Sequence, residues 1–167
     1  MPTPPIPCGL TRRSDANWVS LGGIPGANST VYAAVTDGSG NLYVGGNFTV
    51  IGEVVANRIA KWNGSAWSAL GSGLNIDVFA LAVSGSDLYV GGGFITAGGS
   101  AANHVAKWNG SAWSALGSGL NNNVRALAVS GSDLYVGGDF RTAGGSAANY
   151  VAKWNGSAWS ALGSGLN

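Results

Sequence analysis

The sequence predicts an all-β fold built from one four-stranded antiparallel unit used three times. Three observations carry this. Trp62, Trp108 and Trp154 recur every 46 residues, and residues 76–121 return as residues 122–167 with few changes. A fixed period in this range marks a repeat architecture, in which each copy is one supersecondary unit that buries its apolar face on its neighbours. The apolar stretches are short and show no helical periodicity of useful length. Between them stand turn signals, Ser-Gly-Ser and above all Asn-Gly, the strongest short-range hairpin signal.

Within the second copy, residues 78–83 (VFALAV) form the expected first strand, rich in aliphatic side chains and small alanines. Residues 84–86 turn tightly, because glycine tolerates the positive φ of a hairpin. Residues 87–90 (DLYV) are the second strand, ended by Gly91 and Gly92. A loose loop is expected over residues 97–102. Residues 104–108 (HVAKW) are the third strand, Asn109-Gly110 is a hairpin turn, and residues 112–116 (AWSAL) are the fourth. Four antiparallel strands in such a repeat fit the blade of a β-propeller.

The motif LYVGG, trailed by WNGSAWSAL, resembles the kelch-type blade, with its apolar-Tyr-apolar-Gly-Gly strand and spaced aromatics. The pattern is most similar to repeats of bacterial and fungal surface proteins of the Rax2/delta-60 type, over roughly residues 15–167. The resemblance implies a cell-surface or extracellular protein. It also implies that loops joining strands two to three and four to one carry ligand contacts. Copper oxidases exist among kelch-type folds, but nothing here matches their Cys, Tyr and His ligands.

The chain divides into five parts. Residues 1–14 carry Pro2, Pro4, Pro5 and Pro7 and read as an extended or disordered leader. Residues 15–30 read as a lone outer strand and a loop. WVSLG at 18–22 repeats the WSALG of 67–71, and Pro25, Gly26 and Asn28 lengthen the loop after it. Residues 31–75, 76–121 and 122–167 are three blades. Residues 37–41 (DGSGN) faintly resemble a calcium loop but lack further acidic ligands, so a hairpin turn is expected. Three blades and a spare strand cannot close a toroid of 4 to 8 blades. The ring is therefore expected to be completed by other copies of the chain, or the chain is part of a longer propeller.

Composition excludes several function classes. Charged residues make up 9% of 167 residues with net charge +1, which argues against nucleic-acid partners and a polybasic membrane patch. No apolar run approaches the roughly 20 residues of a membrane span. Cys8 and His104 are the only residues of their types, so no disulfide within the chain, no metal cluster and no nucleophile–base pair can be argued. No enzyme activity, cofactor or metal is expected. Asp87 and Asp133 recur at the same turn and read as turn residues. Asn63, Asn109 and Asn155 are formal glycosylation acceptors that also serve as hairpin turns. The repeated Tyr43, Tyr89 and Tyr135 and the paired tryptophans read as packing between blades rather than a glycan platform.

The second and third copies differ at six positions: Ile76/Asn122, Asp77/Asn123, Phe79/Arg125, Gly93/Asp139, Ile95/Arg141 and His104/Tyr150. The first copy places Ser29, Thr30, Tyr32, Asn47, Thr49 and Arg58 there. The start of strand one, the end of strand two and the start of strand three share one sheet end. All six positions are therefore expected on one face of the disc, and such large changes are tolerated on a surface, not in a core. The expected function is a non-catalytic recognition module for a protein or carbohydrate. Its candidate ligand-binding residues are Tyr32, Asn47, Thr49, Arg58, Asp77, Phe79, Ile95, His104, Asn123, Arg125, Asp139, Arg141 and Tyr150. The alternative is a self-assembling scaffold with no ligand of its own.

Overall fold

A computed structural model describes residues 26–163. The leader at 1–14 and the expected lone strand at 18–22 lie outside the described residues. Eighteen strands and no helix occur among the described residues. The first unit holds β1 (Val31–Thr36), β2 (Leu42–Gly46), β3 (Val50–Ile51), β4 (Val54–Val55), β5 (Ile59–Trp62) and β6 (Trp67–Ala69). The second holds β7 (Val78–Ser84), β8 (Asp87–Gly92), β9 (Thr96–Ala97), β10 (Ser100–Ala101), β11 (Val105–Trp108) and β12 (Trp113–Ala115). The third holds β13 (Val124–Ser130), β14 (Asp133–Gly138), β15 (Thr142–Ala143), β16 (Ser146–Ala147), β17 (Val151–Trp154) and β18 (Trp159–Ala161).

Each unit contributes one four-stranded antiparallel meander, in the orders β1-β2-β5-β6, β7-β8-β11-β12 and β13-β14-β17-β18. The strand order within a unit is the expected one. Two local expectations change. The stretch after the second strand is not a loose loop but a small hairpin, β9 against β10, with β3/β4 and β15/β16 as counterparts. Gly98 and Gly99 turn it at φ of 61° and 84°, a pair of positive values that side chains resist. Residues 26–28 are not merely a longer loop either. Ala27 bridges Ile51, as Leu74 bridges Ala97 and Leu120 bridges Ala143. The Asn28 side-chain oxygen accepts from the amides of Thr49 and Val50, as Asn75 does from Ile95 and Thr96 and Asn121 from Arg141 and Thr142. One Asn clasp thus pins the hairpin of every unit.

The three sheets stack with their first strands side by side, β1 beside β7 and β7 beside β13. Close approach depends on glycine. A Cβ at Gly45 would stand 2.3 Å from Val78 Cγ1, and one at Gly91 would stand 2.3 Å from Val124 Cγ1. Around these contacts lie two cores shared between units. Tyr43, Ile59, Leu70 and Leu74 of the first unit pack on Val78, Leu88, Val90 and Phe94 of the second. Val105, Leu116 and Leu120 of the second pack on Val124, Leu134, Val136 and Phe140 of the third. The tryptophans pack as expected. The pairs Trp62/Trp67, Trp108/Trp113 and Trp154/Trp159 tilt together at 5.3–5.4 Å. Trp113 Nε1 donates to the Leu70 carbonyl at 2.8 Å and Trp159 Nε1 to that of Leu116 at 2.7 Å, tying each unit to the one before.

Candidate recognition face

The strand pairing places the varied positions. Val78 pairs with Gly92 and Val105 with Gly91, so the start of the first strand, the end of the second and the start of the third meet at one end of the sheet. The Ser84–Asp87 and Trp108–Trp113 turns, which do not vary between the second and third units, close the other end.

Two backbone irregularities set the side chains on the varied end. The ladder of the first strand slips between Val78 and Ala80, leaving Phe79 as the extra residue of a β-bulge; Tyr32 and Arg125 are the extra residues of identical slips. Bulges re-aim a side chain out of the pleat and twist the strand. At the start of the third strand, Arg58, His104 and Tyr150 hold φ of 68°, 65° and 66°, and they are the only non-glycine residues with positive φ among the described residues. Their backbones are fixed on both sides: each N–H donates to Phe48, Phe94 or Phe140, and each carbonyl accepts from Gly46, Gly92 or Gly138. This corrects the reading of His104 as part of the third strand, which begins at Val105.

The three bulged side chains form a row across the sheets. The Tyr32 and Phe79 rings lie 5.7 Å apart, and the Arg125 guanidinium sits 4.6 Å above the Phe79 ring. Arg125 Nε and Nη2 also donate to Asp139 Oδ2 at 3.0 and 2.9 Å, and Asn123 Nδ2 donates to the same oxygen at 3.4 Å. The hydrogen bonds from Arg125 hold the Asp139 carboxyl below the usual carboxylate range. A second group joins units one and two. Arg58 Nη1 donates to the Asn47 and Phe48 carbonyls at 3.3 Å, while its Nε lies 3.5 Å from Asp77 Oδ1, close enough for attraction but without a hydrogen bond. Ser29 Oγ donates to the Asn47 side-chain oxygen, and Asn28 Nδ2 donates to Thr49 Oγ1. A cleft of about 320 Å³ opens here, lined by Thr49, Asn57, Arg58, Asn75 and Thr96.

Arg141 and Tyr150 form a separate pair, with the guanidinium 4.4 Å from the ring centre. His104 Nδ1 lies 3.3 Å from the Gly92 carbonyl oxygen, and partial burial pushes the imidazole below its ordinary value. Ile95 and Ile76 stand out in solvent. Gly93 leaves room that the Asn123 and Ile76 side chains fill to within 3.3 Å of where a Cβ would be.

The opposite end also holds a cleft, of about 480 Å³, which the sequence does not announce. It is lined by Asp37, Asn41, Tyr43, Lys61, Ser86 and Asn109. Lys61 Nζ lies 5.6 Å from the Tyr43 ring centre, and Asp37 and Asn109 are engaged in turns. Asp37 Oδ1 accepts from the Ser39 and Asn41 amides and Oδ2 from Asn41 Nδ2; these bonds, the Asn41 side chain first, lower its carboxyl. The 37–41 stretch is a hairpin turn. Asn63, Asn109 and Asn155 likewise accept from the amides two and three residues on. Asp87 and Asp133 close their turns opposite Ser84 and Ser130. They also pair with Lys107 and Lys153 on the neighbouring strand, at 3.0 and 2.9 Å, and the second pair raises the Lys153 ammonium. No cluster of three metal-ligating side chains occurs among the described residues. Compared with known proteins, the sequence matches no family model and no curated protein.

Proposed function

We propose that the three sheets are successive blades of a kelch-like β-propeller, and that the chain is a non-catalytic recognition module for a protein or carbohydrate at the cell surface. The ligand meets the face bearing Tyr32, Phe79, Arg125, Asp139, Arg58, Asp77, Arg141 and Tyr150. One observation carries this reading: every position that differs between the second and third units lies at the same sheet end, and two of them coincide with a bulge and a left-handed residue. Unusual backbone held in place by surrounding hydrogen bonds concentrates at binding sites. Aromatic and arginine side chains are also the ones that dominate interface energies.

The test is binding of the wild-type chain and of the triple variant Arg125→Ala, Arg141→Ala, Tyr150→Ala to a glycan array and to a panel of immobilised extracellular proteins. The expected result is one or more wild-type signals that the triple variant loses while its melting temperature is unchanged. Signals that survive the triple substitution and vanish with Asp37→Ala, Lys61→Ala would move the site to the other face.

A further inference from the structure

The two internal joints between units share one geometry, and the two outer faces of the stack present its separated halves. In each joint a valine at the start of the first strand fills a glycine notch of the preceding sheet: Val78 at Gly45 and Val124 at Gly91. Both valines are fully buried. Their counterpart in the first unit, Val31, is 41% exposed. The counterpart notch in the third unit, Gly137, is open among the described residues, none of which beyond its chain neighbours lies closer than the Ala126 Cβ at 3.8 Å to where its own Cβ would be. Ala80 and Ala82 beside the filled notch are buried, whereas Ala126 and Ala128 beside Gly137 are exposed. The residues are the same; only the cover differs.

We propose that these halves join between two copies of the chain, with Val31 of the partner subunit seated in the Gly137 notch. The neighbouring positions agree along the joint. Within the chain, Phe79 lies between Tyr32 and Arg125. The same spacing carried across the new joint brings Arg125 beside the partner's Tyr32, a cation–aromatic contact. Arg58 faces Asp77 at the first joint; at the new one Tyr150 faces the partner's Thr30, so no charge is stranded. The contact uses the inner half of each sheet, because residues 26–28 already cover the outer hairpin of the first unit. The contact is heterologous, and heterologous contacts form closed rings or open fibres. Two copies make six units, within the range of closed propellers, whereas three make nine, beyond it. The joint shares Arg125 and Tyr32 with the varied face, but its Val31 and Gly137 are not among the varied positions.

The mass of the full chain by sedimentation, over a hundredfold range of concentration, tests this together with Gly137→Val. Position 137 has no positive φ and no close neighbour among the described residues, so the variant chain keeps its circular dichroism and melting profile. The expected result is a wild-type dimer and a Gly137→Val monomer. A crosslinking pair in a Cys8→Ser background adds the register: chains carrying Val31→Cys and chains carrying Gly137→Cys form a disulfide when mixed and none when oxidised apart. A wild-type chain that stays monomeric at every concentration overturns the proposal. So does a folded Gly137→Val variant that dimerises like wild type, or a crosslink formed by either chain alone.

Discussion

Arg58, His104 and Tyr150 each hold a backbone that costs a side-chain-bearing residue roughly 1–2 kcal/mol relative to the right-handed region. The chain is rich in glycine and asparagine, the residues that relieve this cost, yet uses neither at the three positions. The backbone hydrogen bonds around them need only the conformation, not the side chain. His104→Gly therefore keeps the sheet and removes the strain. Added freedom of the unfolded chain offsets part of the gain. The expected outcome is a stability increase of up to about 1 kcal/mol, read from the urea midpoint at constant slope. A clear loss instead would show that the half-buried imidazole packs for stability. That these residues are left-handed was not legible in the sequence, because the usual sign of such a backbone is a glycine or asparagine at the position itself. The position of the variation was legible, since antiparallel pairing alone brings those three strand ends together.

At the level of elements, the four strands of each unit announce themselves through aliphatic runs and Asn-Gly turns, and the small hairpin does not. Each of its arms is two residues long, too short for period-two alternation, and Thr-Ala-Gly-Gly-Ser-Ala lacks the β-branched and aromatic density of a strand. Its existence depends on a distant partner, the Asn75 clasp twenty residues upstream. Long-range fixing also explains the spaced tryptophans. The indole of Trp113 on the fourth strand reaches past its own sheet to a carbonyl of the preceding unit. Trp113→Phe retains the ring against Trp108 and deletes that hydrogen bond. The expected cost is about 1 kcal/mol, the net worth of one such bond, with a larger value if the Leu70 carbonyl finds no water. Chemical denaturation checks it, and a cost near zero would mean that the units are joined by apolar contacts alone.

For the whole molecule, stability is a sum of similar units and the joints between them. The middle sheet, β7-β8-β11-β12, has both faces covered. Among the described residues, nothing covers the first sheet at Val31 or the third at Ala126, Ala128 and Gly137. Opening a terminal sheet breaks one joint, whereas opening the middle sheet breaks two. Amide exchange at a concentration where the chain is monomeric is therefore expected to be slowest in β8 and β11 and faster in β13 and β14, although units two and three are nearly identical in sequence. Sequence identity makes the comparison clean, because intrinsic exchange rates then cancel for most of the paired amides. Raising the concentration until copies join is expected to slow β14 toward the rate of β8, and Gly137→Val is expected to abolish that slowing. Equal protection of β8 and β14 in the monomer would mean that the third sheet needs no further cover, and a neighbour for it would lose its physical basis.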